Sequence, residues 1–83
     1  MDAELKFPVI AHHRVIVDAA AKDLARMRRL FAAFELVEPL AETRVSTGGR
    51  YVSCGVSVRL RNRDEMRRFD EQLKCVPGLR MVL

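Results

Sequence analysis

The chain is poor in the residues that most often announce a chemical task. It has no tryptophan, one tyrosine, two cysteines and two histidines among 83 residues. Two cysteines are too few for the disulfide framework of a small secreted domain, so Cys54 and Cys75 are expected as reduced thiols in the cytoplasm. No CxxC, HExxH, P-loop or GxSxG pattern occurs, which removes common signatures of redox, metalloprotease, nucleotide and serine-hydrolase chemistry. No apolar run approaches the ~18 residues a membrane span needs. The opening MDAELKFPV places acids ahead of any apolar run, which is wrong for a secretory signal. Low-complexity tracts and internal linkers are also lacking. These absences leave one small domain over 1–83, with Met1 to Lys6 expected to fray.

The hydrophobic fraction is 49%, enough for a globular core. Fifteen basic residues, twelve of them arginine, stand against eleven acids, for a net charge of +4. That balance permits an anionic partner without demanding one.

GGRYVSCGVSVRLR carries the clearest pattern. Val52, Cys54, Val56, Val58 and Leu60 alternate with Tyr51, Ser53, Gly55, Ser57 and Arg59, as in a strand with one buried face. Gly48-Gly49 supplies two positions able to take positive φ, so a two-residue hairpin turn is expected before it. Upstream, Val9 to Val17 reads as a first strand, with Ala11, His13, Val15 and Val17 inward. Asp18 is the expected cap of a helix from Ala19 to Glu35, whose stripe is Ala20, Leu24, Met27, Phe31 and Phe34. Pro39 reads as a break. After it Ala41, Thr43 and Val45 face inward in a second strand, with Glu42, Arg44 and Ser46 outward. Asn62 caps a second helix with Glu65 completing a capping box, and Met66, Phe69, Leu73 and Val76 form its buried stripe. Pro77-Gly78 stops that helix. LRMVL then makes a fourth strand, with Leu79, Met81 and Leu83 on one face and Arg80 and Val82 on the other.

The order βαββαβ implies an α+β fold. Its four-stranded antiparallel sheet carries both helices on one face, with strands one and three central. The uncovered face should then present Ile10, His12, Arg14, Ile16, Glu42, Arg44, Tyr51, Ser53, Gly55, Ser57, Arg59, Arg80 and Val82. The small strip Ser53, Gly55, Ser57 has two readings. It is either the floor of a groove rimmed by arginines, or packing tolerance or a bulge on a solvated face.

Catalysis is poorly supported. His12 and His13 are adjacent on a strand, point to opposite faces and cannot chelate one metal together. His13 reads as a core residue. Asp64 and Glu65 fit a helix start. No catalytic residue, metal site or cofactor is therefore expected. RNA-recognition modules share this strand order, but they stack bases on aromatics of the central strands. Here the open face offers only Tyr51, so nucleic acid is disfavoured.

Phe7-Pro8 opening strand one, Gly49-Arg50-Tyr51-Val52-Ser53 opening strand three, and the ending Leu79-Arg80-Met81-Val82-Leu83 together resemble the YbeD-like family of small bacterial cytosolic proteins. The resemblance spans Phe7 to Leu83. It implies a ferredoxin-like fold similar to ACT-type regulatory domains, no enzymatic activity, and a link to lipoate metabolism. ACT-type domains bind effectors near a glycine-bearing turn after the first strand. The turn here reads Val17-Asp18-Ala19, without glycine, which argues against that kind of site.

The expected function is a non-catalytic regulatory or interaction module. Its expected partner is a protein, with self-pairing through an edge strand or the sheet face as an alternative and no membrane contact. The competing expectation is a sensor of carboxylate or phosphate on the open face. The candidate binding residues are Arg14, Tyr51, Ser53, Gly55, Ser57 and Arg59.

Overall fold

A computed structural model describes residues 6–83, so the expectation of fraying lies outside the described residues for 1–5. The elements are β1 (Val9–Asp18), a short 3-10 turn (Ala19–Ala21), α1 (Leu24–Leu30), β2 (Glu35–Val45), β3 (Tyr51–Leu60), α2 (Arg63–Lys74) and β4 (Leu79–Val82). The strands form one sheet in the order β2-β3-β1-β4. Neighbouring strands run antiparallel throughout. This is the expected βαββαβ arrangement, with β1 and β3 central.

The inward residues of β1 and β3, including Val15, Val17, Cys54, Val58 and Leu60, are fully buried. They pack with Met27 of α1, Phe31 at its C-terminal cap, and Phe69 and Leu73 of α2, so both helices cover one face. Phe69 is the hub of this layer. Its ring lies 5.0 Å from those of Phe31 and Phe34 and 5.2 Å from that of His13. A fully buried aromatic of this kind is worth about 3–5 kcal/mol against alanine.

Helix α2 begins and ends as its sequence dictates. Asn62 Oδ1 accepts from the Glu65 backbone N–H at 2.8 Å, and Glu65 reaches back to the Arg61 N–H at 2.9 Å. Gly78 follows the helix with φ of +71°, and a Cβ there would lie 2.6 Å from the Ala21 Cβ. The position therefore favours glycine twice over, through its backbone angle and through the close approach of the 3-10 turn.

Four expectations are corrected. The first helix does not run from Ala19 to Glu35. Ala19 donates to the Arg50 carbonyl, tying the end of β1 to the β2–β3 hairpin, and Lys22 is extended. The helix starts only after Asp23, whose carboxylate accepts from Arg26 N–H at 3.1 Å. β2 is longer than expected and runs through Pro39. It is an edge strand, where a missing N–H costs no ladder bond. The hairpin loop is also longer than two residues. Ser46 N–H donates to the Tyr51 carbonyl, closing a loop over 47–50 in which Gly48 and Gly49 do take positive φ.

The fourth correction concerns which residues face out. β2 has register shifts between Leu36 and Glu38, Glu38 and Ala41, and Glu42 and Arg44. Each extra residue re-phases the alternation. Glu42 therefore pairs with Cys54 on the helix side and bonds Lys22, while Ala41 pairs with Gly55 on the open side. In β4 a shift beside Leu79 leaves Arg80 as the extra residue, in an ion pair with Asp18 at 2.9 Å. Met81 then pairs with Ile16 and Val82 with Val15, so Met81 joins the open face and Val82 leaves it. Leu83 joins it by exchanging both backbone hydrogen bonds with Arg14.

His13 lies on the helix side against Phe69, and burial there pushes its pKa below the usual 6.5. Asp70 opposes that shift, and His12 adds weakly to it. As pH falls through 6.5 the unfolded chain takes up this proton before the folded one. Stability is therefore full above 6.5 and declines below it. Urea unfolding at pH 7.5 and 5.0 is expected to show a smaller acid loss in His13→Phe than in the parent. Equal losses in the two proteins would contradict the assignment.

Candidate functional site

The open face is organised in rows, because directly paired residues of antiparallel strands share a face. Across β2, β3 and β1 the rows read Glu35–Arg59–Ile10, Glu38–Ser57–His12, Ala41–Gly55–Arg14 and Arg44–Ser53–Ile16. All six candidate binding residues lie on this face. Only Arg14 and Gly55 are directly opposite one another. Tyr51 and Arg59 sit at opposite ends of β3, eight residues or roughly 26 Å apart.

The second row is a continuous hydrogen-bond chain across three strands. Ser57 Oγ donates to Glu38 Oε1 at 2.9 Å and lies 2.6 Å from His12 Nδ1. A hydroxyl has one proton, and a carboxylate can only accept. The Ser57 proton is therefore directed to Glu38, and His12 Nδ1–H donates to Ser57 Oγ. That leaves His12 Nε2 as the acceptor nitrogen. An activated serine needs the opposite polarity, with its proton accepted by the histidine. Ser57 is also only 5% exposed. The three residues have the composition of a hydrolase triad, but they are wired as a strand-to-strand tie.

The neighbouring small residues have equally local causes. Thr43, the extra residue of the last β2 shift, leans over β3. Its hydroxyl donates to the Ser53 carbonyl at 3.2 Å. Its Cγ2 would lie 3.3 Å from a Cβ placed on Gly55. Glycine makes room for that methyl. The bulges belong to β2, whereas β1 and β3 pair in an unbroken register.

What remains for a ligand is a shallow concavity of about 440 Å³, whose lining includes His12, Arg14, Glu38, Thr43, Gly55 and Leu83. Among the described residues, no carboxylate lies within ion-pair distance of Arg14 or Arg44. Arg59 is engaged by Glu35 at 3.7 Å. Arg14 and Arg59 are four residues apart along the ladder, roughly 13 Å. Arg59 does not line the concavity that Arg14 lines. Arg14 is the cation in this concavity that can dock a single anionic group.

Elsewhere the chemistry is muted. Cys54 is buried, and burial pushes its thiol pKa up, with Glu42 adding to the shift and Lys22 opposing it. That keeps the sulfur protonated rather than nucleophilic. Cys75 is exposed at the end of α2 and forms no disulfide. Among the described residues, no group of three or more His, Cys, Asp or Glu is placed to hold a metal ion. No helix among them is long and apolar enough to cross a membrane.

Glu38 is the one member of the row that sequence reasoning missed. Pro39 was read as the break before the second strand, which left Glu38 outside it. The alternating stretch Glu35-Leu36 ahead of the proline was the available signal.

The solution structure of protein HP0495 from H. pylori shares this fold. Its TM-score is 0.74 at 15% identity, with 99% of this chain and 88% of that one covered. No curated protein matches the chain. The family model described as "Protein of unknown function (DUF493)" matches residues 2–83, nearly the whole sequence. The chain belongs to this DUF493 family, the YbeD-like group to which its Phe7-Pro8, Gly49–Ser53 and Leu79–Leu83 landmarks point.

Proposed function

We propose that the protein is a non-catalytic regulatory module of the cytoplasm that meets a protein partner through the open face of its sheet. The observation that carries this reading is exposed apolar surface grouped around an unpaired cation. Ile10, Met81 and Leu83 are 50%, 52% and 61% exposed. Met81 and Leu83 stand two residues apart beside Ile16 and Arg14, and Ile10 lies beyond His12. Exposed apolar side chains with an arginine among them are typical of contact sites. The polar groups that might have done chemistry, Ser57 and Glu38, are bonded to each other instead. The lipoate metabolism implied by the family resemblance is the first place to seek the partner.

A sensor of small anions is the second reading, favoured by Arg14 opening onto the concavity with no acid partner among the described residues. Saturable phosphate binding that is lost in Arg14→Ala would support it. Phosphate binding that survives that change would remove it.

The main reading is tested by placing a photo-crosslinking amino acid at position 10 or 81 in cells of the source organism, with position 68 on the outer surface of α2 as control. A discrete adduct with another protein is expected from positions 10 and 81 and not from 68. Adducts from 68 alone would contradict an open-face contact.

A further inference from the structure

β4 covers only part of β1. Its pairs run from Val17 with Leu79 to Val15 with Val82, and Leu83 adds two bonds to Arg14. Val9 to His13 pair with β3 on one side and, among the described residues, with no strand on the other. Arg14 exchanges both of its backbone bonds with Leu83, so its N–H and C=O point away from β3. Backbone direction alternates along a strand, so those of His12 and Ile10 point the same way. Four backbone groups on these two residues therefore face a lane that holds no strand among the described residues. That lane is five residues long, roughly 16 Å.

This lane lies between two basic surfaces. On the open side stands Arg14. On the helix side is the first half of α2, which starts just after Leu60, the partner of Val9. Arg63, Met66, Arg67 and Asp70 share one flank of that helix and line a shallow hollow. The ring of Phe69, the residue before Asp70, lies 5.2 Å from that of His13 of β1, which places α2 over the uncovered stretch. Asp70 is the one acid among these groups. The other sheet edge is differently protected, since β2 carries Pro39, three register shifts and several glutamates.

We propose that the uncovered edge of β1, Val9 to His13, receives an extended acidic segment of a partner protein as a fifth strand in line with β4. Backbone bonds to Ile10 and His12 would hold the segment. Acidic side chains would meet Arg14 on one face and Arg63 and Arg67 on the other, with an apolar residue over Met66. This is strand addition, in which the main chain supplies affinity and alternate side chains supply selectivity. It deepens the open-face reading by naming the edge and the chemistry of what docks there.

The test uses seven-residue peptides of alternating glutamate and valine, with alternating lysine and valine as a charge control. A glutamate–valine peptide N-methylated at alternate residues is the backbone control. In the free protein the amides of Ile10 and His12 are expected to exchange with deuterium much faster than those of Ala11 and His13. The acidic peptide should slow Ile10 and His12 exchange at least tenfold. Arg14→Ala and Arg67→Ala should each weaken binding about two- to fivefold, as expected for exposed pairs. The proposal is overturned if the acidic peptide leaves Ile10 and His12 exchange unchanged, or if the lysine or N-methylated peptide protects them equally. Crosslinks from positions 10 and 81 that form while these amides stay unprotected would preserve the open-face reading and remove only the strand addition.

Discussion

Ten consecutive residue pairs, from Val9 with Leu60 to Asp18 with Tyr51, join β1 to β3 without a register shift, and every other placement in the protein is referred to that ladder. A slip of β1 by one residue against β3 would send Val15 and Val17 to solvent and bring Arg14 into the core. The buried valines forbid this. The same register sets His12 beside Ser57 and Arg14 beside Gly55. The face that is free to meet other molecules is thus ordered by the face that is not.

Irregularity is pushed to the edges. β2 shifts three times and β4 once, and each shift does local work. One sets Thr43 over Gly55, and another leaves Arg80 to pair with Asp18. Two members of the Ser-Gly-Ser strip are explained in these terms without a ligand. Gly55 clears space for the Thr43 methyl, and Ser57 links Glu38 to His12. Arg14 is left as the charged group of the concavity with no internal acid among the described residues.

Much of this was legible in the sequence. The alternation of β3, the cap at Asn62, the stripe of α2 and the order of the elements each rest on local rules that tertiary packing here reinforces. The errors over which residues face outward share one physical cause. Alternation counts residues, whereas a bulge adds one that the count does not show. Glu42 was therefore placed outward, Ala41 inward, and Met81 and Val82 on exchanged faces. The long first helix failed for a different reason. Three alanines carry helical propensity, but the Ala19 N–H is held by the Arg50 carbonyl, a contact from a distant hairpin. Glu38 was hidden behind Pro39, because proline breaks a central strand but not an edge.

The claim that the open face is built for contact rather than catalysis turns on the polarity of the Glu38–Ser57–His12 chain. Nitrogen-15 chemical shifts and long-range proton couplings of the His12 ring, recorded where the ring is neutral, read that polarity directly. The account predicts the tautomer with the proton on Nδ1, donated to Ser57, and with Nε2 unprotonated. A neutral ring with its proton on Nε2 would mean that Nδ1 accepts the serine proton. Ser57 would then be oriented as a nucleophile, and the non-catalytic account would be contradicted.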